Sequence, residues 1–171
     1  NTSRAVLVSV HVDTIHVTAG GSDNTASVGI AIELTRNVAS LGAKDPEALR
    51  NAAFIVVFSS AEEEGFMGAH GVVTSHPWFG EVRCVLNLEA MGNGGPHRMF
   101  QTTKGGASAE LLAMWSEAAV RPSGSVLSSD VFNTGLIKSD TDLRVYRDFG
   151  DVAGFDFAFL ENTHLYHTPG D

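Results

Sequence analysis

Cysteine and positive charge are scarce in this sequence, and long apolar stretches are missing. The one cysteine, Cys84, lies in an apolar run, so the chain can form no internal disulfide and holds no thiolate cluster for a structural zinc site. Acidic residues number 20 against 11 lysines and arginines, and the formal net charge of −9 argues against nucleic acid as a partner. No apolar stretch reaches the length of a transmembrane helix, and no signal peptide is evident.

What the sequence does contain is enough apolar residues for one ordered domain. They make up 43% of the 171 residues, and the mean hydropathy is +0.05. A chain of this length builds a single core of ordinary size. We expect one partial domain over 1–171 that belongs to a longer protein, because the chain starts without methionine and stops within a motif.

Strand and helix patterns alternate along the chain. Buried-strand runs cover 5–10, 54–58 and 82–88, the segment 155–159 alternates phenylalanine with other residues, and 99–102 is a possible outlying strand. Helical patterns cover 25–41, 66–73, 111–119 and 142–149. At the start of the last helix, Ser139 and Asp142 have the spacing of a capping box, and Gly150 after it is the stop signal. This alternation predicts a three-layer α/β/α domain.

Metal-binding side chains follow the predicted strands. The most conspicuous are three consecutive glutamates after the run 54–58; in isolation such a cluster is typical of a solvated acidic turn. Ligand sites of open α/β sheets lie at the carboxyl ends of the strands, and the position of these glutamates therefore favours a ligand site over a solvated turn. The candidate residues at strand ends, together with one aspartate in a glycine-rich loop, are His11, Asp13, Asp23, Glu62, Glu63, Glu89 and His167.

Imidazole and carboxylate groups are ligands that suit zinc. Asp23, Glu63 and Glu89 with one bridging hydroxide carry four negative charges, which would balance two divalent ions. His164 is a rival to His167, although the sequence context Tyr-His-Thr favours His167. Glu64 is expected to be a solvated neighbour of the site.

The motifs together resemble the co-catalytic zinc aminopeptidases of peptidase family M28. They are His11-Val12-Asp13, Gly21-Ser22-Asp23-Asn24, Ala61-Glu62-Glu63-Glu64-Gly65, Asn87-Leu88-Glu89-Ala90 and Tyr166-His167-Thr168. The resemblance implies an α/β/α fold with a mixed, mostly parallel sheet. It also implies two Zn²⁺ ions: Asp23 bridges them, His11 and Glu89 complete one site, and Glu63 and His167 complete the other.

The same resemblance implies roles for three neighbouring residues. Glu62 is expected to be the general base that acts on a metal-bound water. Asp13 is expected to orient His11, as carboxylates commonly do for imidazole ligands. Asn24 departs from the family pattern, which has an aspartate there, but this change removes no ligand.

A closer likeness points to the endoplasmic reticulum metallopeptidase branch of that family. It is carried by 70–78, 99–102, 139–150 and 154–156. It implies a lumenal peptidase domain whose membrane attachment lies outside this chain, and a domain truncated at both ends. The expected activity is therefore that of a zinc exopeptidase, most simply an aminopeptidase, acting on peptides. The alternatives are a one-zinc glutaminyl cyclase and a non-catalytic ectodomain.

Overall fold

The centre of the molecule is a five-stranded sheet. The computed structural model describes residues 4–171, apart from the side chains at 126, 128, 129 and 133. The sheet has the strand order β2-β1-β3-β5-β4. Its strands are β1 (Arg4–His11), β2 (Ala52–Ser59), β3 (Val82–Ala90), β4 (His97–Thr102) and β5 (Ala153–Phe159).

Four of these strands run in the same direction. β1 pairs in parallel with β2 and with β3, and β3 pairs in parallel with β5, whereas β4 is antiparallel to β5 at one edge. The prediction of a mixed, mostly parallel sheet is thus confirmed. Because the strands are parallel, the carboxyl ends of β1, β2, β3 and β5 meet at one edge of the sheet.

Helices cover both faces of the sheet. The longer ones are α1 (Ser27–Lys44), α2 (Met67–Ser75), α3 (Gly106–Ala118), α4 (Val126–Asn133) and α5 (Asp142–Asp148). One face packs Ala69 of α2 and Tyr146 of α5 against Leu7 of β1, while the other packs Ala31 of α1 against Val8. Trp115 of α3 packs against Phe155 and Phe157 of β5. The predicted three layers are therefore present, each sheet face burying alternate strand residues.

Local details differ from the sequence predictions in three places. In α1 the sequence pattern places Ile32 on the buried face with Val28 and Ala31, but Ile32 is 50% exposed, whereas Ala31 is buried and Val28 and Leu34 pack against the core. The helix α4 was not predicted at all. α5 is capped by Thr141, whose Oγ1 accepts a hydrogen bond from Leu143 N, so Ser139 is not the cap.

The described residues also form four short helical turns. They are Gly21–Ala26, Pro46–Leu49, Phe79–Glu81 and Thr163–Leu165. Within the described part of the chain, none of the helices combines the length and the apolar character needed to span a bilayer.

Candidate metal centre

The predicted ligands lie together at the carboxyl edge of the sheet. His11 is the last residue of β1, and Glu89 is the last but one of the neighbouring parallel strand β3. This adjacency brings His11 Nε2 to 3.1 Å from Glu89 Oε2. Both residues are buried, with 1% and 4% of their surface exposed.

Asp23 lies between two histidines. Its Oδ1 is 3.2 Å from His11 Nε2, and its Oδ2 is 3.0 Å from His167 Nε2. The same His167 nitrogen is 3.3 Å from Glu63 Oε2. The side chains thus form two groups, one of His11, Asp23 and Glu89 and one of Asp23, Glu63 and His167, each with ligand atoms within 4.8 Å of one another. Asp23 belongs to both groups.

The donor atoms suit a divalent metal. Among the described residues, none forms a hydrogen bond with the buried oxygens Asp23 Oδ1 and Glu63 Oε1, and leaving such groups unpaired is costly. A cation would satisfy them, and nitrogen and oxygen donors without sulfur suit zinc. A third group, His11 with Glu62 and Glu63, shows that Glu62 also reaches the centre. His164 is exposed and belongs to none of the three groups.

Charge and burial shift the pKa values of these residues strongly. Burial alone would lower the pKa of His11, but the neighbouring carboxylates of Asp23 and Glu89 raise it to about 12. Burial, followed by the charge of Glu89, raises the pKa of Glu62 to about 10. Burial, followed by the charge of Asp23, raises the pKa of Glu63 to about 7. Without a metal ion, Glu62 and Glu63 therefore hold a proton more readily than ordinary glutamates, and a bound cation would favour its loss.

Two anchors hold the loop that carries Asp23. Asn24 Nδ2 donates to the carbonyl of Leu88 in β3 at 2.8 Å, a bond that an aspartate could not donate. On the other side, Asp171 Oδ1 accepts from Ser22 Oγ and from the backbone N–H groups of Ser22 and Asp23, both at 3.3 Å. The second anchor joins the loop of Asp23 to the segment that follows His167.

Asp13 lies beside His11, the residue that it is expected to orient. His11 Nδ1 lies 3.0 Å from the backbone carbonyl of Asp13 and 3.7 Å from its carboxylate Oδ1. The other carboxylate oxygen, Oδ2, accepts from the backbone N–H of Glu63 at 3.2 Å. Asp13 thus contacts one residue of each ligand group, His11 through its backbone and its carboxylate and Glu63 through its carboxylate.

Several residues around the centre have left-handed backbone conformations. The φ angle is 59° at Ala61, 62° at Phe66 and 60° at His167. Such conformations cost a non-glycine residue free energy and concentrate at functional sites. Two of them flank Glu62 and Glu63, and the third belongs to a ligand candidate.

A cleft of about 800 Å³ opens over the centre. Glu62 and Glu63 line its acidic floor, and Phe132 and Ile137 contribute apolar wall. Tyr166 lines it as well, with its ring stacked on His167 at a centroid distance of 3.8 Å. This volume accommodates a small ligand or the end of a peptide.

Sequence reasoning missed several residues that support the centre. Tyr166 was noted only as part of a motif, and Asp171 and Asn87 were given no role. For Asn87 a signal existed, since it stands two residues before Glu89 in a strand and so points to the same face. For Asp171 no local pattern indicates the contact with Ser22 and Asp23.

Comparison with known proteins gives consistent results. The model described as peptidase family M28 matches residues 1–171. Endoplasmic reticulum metallopeptidase 1 of Rattus norvegicus is 41% identical over 167 residues, which are 98% of this chain and 18% of that protein. Two solved structures cover the whole chain: an aminopeptidase from Aneurinibacillus sp. strain AM-1 (TM-score 0.67, 18% identity, 38% of that structure's chain) and a zinc aminopeptidase from Bacillus subtilis (0.63, 17%, 41%).

Proposed function

Because this chain belongs to peptidase family M28, we propose that it carries the catalytic centre of a zinc-dependent exopeptidase, an aminopeptidase. The observation that supports this most directly is the pair of ligand groups that share Asp23. The chain spans only 18% of the length of the metallopeptidase 1 that it matches, so the activity of the whole protein is part of the proposal.

Two zinc ions are proposed, one for each ligand group. His11 and Glu89 would hold one ion, Glu63 and His167 the other, and Asp23 would contribute one carboxylate oxygen to each. Bound zinc ions polarise a carbonyl group and lower the pKa of water, which is the chemistry that peptide hydrolysis needs. Two groups of protein donors favour hydrolysis over the one-zinc cyclisation of an N-terminal glutamine.

Glu62 is proposed as the general base. It lines the cleft, it is 8% exposed, and it lies outside the two groups that share Asp23. Its carboxylate would accept a proton from the attacking water and deliver it to the departing amine. Nearby cations would lower its pKa from the high value that burial imposes, which makes it a base near neutral pH.

The cleft also supports recognition of a peptide N terminus. Besides the residues proposed for metal and proton transfer, its lining includes Asp140, whose carboxylate would attract a free ammonium group, and the apolar side chains of Met91 and Ile137. Acetylation of the N terminus would remove that charge and with it the attraction.

By likeness to the rat endoplasmic reticulum metallopeptidase, we further propose that the domain lies in the lumen of the endoplasmic reticulum. Regions outside this chain would attach it to the membrane.

The test is to measure metal content and hydrolysis with the purified full-length protein. We expect two zinc ions per chain, and cleavage of peptides with a free N terminus but not of their acetylated counterparts. Equal cleavage of both peptide types would contradict the aminopeptidase assignment. Cyclised N-terminal glutamine without hydrolysis would establish the cyclase, and a folded protein that binds no zinc would establish the non-catalytic alternative.

A further inference from the structure

A row of buried polar side chains crosses the sheet directly beneath the metal centre. Ser9 of β1 pairs with Asn87 of β3, Asn87 pairs with Asp156 of β5, and Asp156 pairs with Gln101 of β4. These side chains are at most 6% exposed. His11 and Glu89 follow two residues further along β1 and β3, so they project from the same face of the sheet.

Asn87 connects this row to the metal centre. Its amide nitrogen Nδ2 lies 2.7 Å from Asp156 Oδ1 and 3.1 Å from Glu89 Oε1. An amide group has two N–H donors, so one amide nitrogen can serve both carboxylates. Glu89 then has one oxygen, Oε1, held by Asn87, and the other, Oε2, directed at His11 Nε2 at 3.1 Å.

Asp156 is the fixed point of the row. It is completely buried, and its other oxygen, Oδ2, accepts from Gln101 Nε2 and from Thr141 Oγ1, both at 2.5 Å. Burial and then the charge of Glu89 raise the pKa of Asp156 well above its ordinary value, and the hydrogen bonds from Thr141, Asn87 and Gln101 oppose that rise. Three donors from three different elements therefore fix the orientation of this carboxyl group.

We propose that Asp156 and Asn87 are positioning residues that orient Glu89 as a ligand through one oxygen for the ion shared with His11. Asp156 sets the orientation of the Asn87 amide. The hydrogen bond from Asn87 to Glu89 Oε1 would then keep this oxygen from binding the metal ion. Neither residue touches the group of Glu63 and His167 in the contacts described above. Partners behind metal ligands typically contribute 10–100-fold to metal affinity.

This inference rests on the proposed metal centre, and its test must separate the two ions. Asn87→Leu, which removes the amide at similar volume, is combined with either His167→Ala or His11→Ala in the full-length protein. Each histidine variant is expected to retain one ion. Zinc affinity is measured by calorimetric titration, and the absorption spectrum of bound Co²⁺ reports the ligand geometry.

We expect Asn87→Leu to weaken the remaining ion roughly 10–100-fold in the His167→Ala background and to change its Co²⁺ spectrum. In the His11→Ala background, adding Asn87→Leu should change the zinc affinity by no more than about twofold. The test compares the effect of Asn87→Leu in the two backgrounds. Asp156→Ala should behave as Asn87→Leu does, since it releases the amide. Ser9→Ala is the matched control, because it removes a buried hydrogen bond of the same row, to Tyr146 Oη, that does not reach Glu89.

The outcomes are distinguishable. Equal weakening in both backgrounds, or weakening by Ser9→Ala as well, would reduce the row to a structural role and overturn the proposal. Unchanged affinity in both backgrounds would overturn it too. Thermal unfolding in the presence of chelator identifies a variant that fails to fold, in which case Asn87→Ser and Asp156→Asn replace it. If the unsubstituted protein binds no zinc at all, the proposed function itself fails.

Discussion

Glu62 and Glu63 are adjacent in the sequence, yet replacement by glutamine should weaken metal binding only at Glu63. Both side chains lie at the centre, but Glu63 belongs to the group with Asp23 and His167, whereas Glu62 lines the cleft outside both groups that share Asp23. Consecutive residues that leave a strand point in different directions, so the two carboxylates have different tasks.

Glu62→Gln keeps the size of the side chain and removes its capacity to accept a proton. We expect near-normal zinc content and a loss of roughly 10²–10⁴-fold in kcat, the usual contribution of a positioned base. Both zinc ions should remain bound, because Glu62 belongs to neither of the two ligand groups that share Asp23.

Glu63→Gln removes a negative charge next to an ion. Glu63 Oε2 and His167 Nε2 are 3.3 Å apart, so an ion bound by both lies in direct contact with the carboxylate. Two unit charges 4 Å apart interact by about 4 kcal/mol at an effective dielectric constant of 20. This corresponds to a loss of roughly 10³-fold in zinc affinity. The second charge of zinc would make the loss larger, and the remaining amide oxygen, which can still bind the ion, would make it smaller.

The assay is zinc content by elemental analysis, zinc affinity by titration and steady-state turnover of an aminoacyl substrate. Glu64→Gln is the matched control, since this third glutamate is exposed and belongs to no ligand group; it should leave all three quantities unchanged. If Glu62→Gln loses zinc while Glu63→Gln retains it, the two roles are reversed. If neither substitution alters the turnover of an active preparation, the catalytic centre lies elsewhere.

Two further predictions concern stability. Removal of zinc by a chelator should lower the melting temperature, because an ion that binds only the folded chain stabilises it by about 2.7 kcal/mol at 100 times its dissociation constant; a melting curve indifferent to chelator, with zinc confirmed beforehand, would contradict this. Burial raises the pKa of Asp142 to about 6, and its buried Oδ1 has no hydrogen-bond partner among the described residues, so the resulting stabilisation is present below about pH 4 and lost as the pH rises through 6. In chelator, the free energy of unfolding of the unsubstituted protein, measured by urea titration, should fall between pH 4 and 7. The fall should be up to about 3 kcal/mol larger than that of Asp142→Asn. Asp148→Asn, at an exposed position of the same helix, is the control and should not remove this fall.

Much of the fold was accessible from the sequence because it depends on local patterns. Apolar runs of five to seven residues predicted β1, β2 and β3, and the alternation of strand and helix patterns predicted three layers, as the structure has them. The prediction was wrong at the cap of α5, where Thr141 and not Ser139 bonds to the backbone. It also missed α4, a helix of eight residues.

For the candidate centre, the sequence alone determined which side chains stand at the ends of parallel strands. That is enough to place His11 and Glu89 at one edge of the sheet, because carboxyl ends of parallel strands meet there. Only the tertiary structure decided that Asp23 lies between His11 and His167, 144 residues away from the latter in the chain. It also decided that Asp156 holds Asn87 behind Glu89, since those contacts depend on the register between strands, and register is fixed by packing across the whole sheet and not by any local pattern.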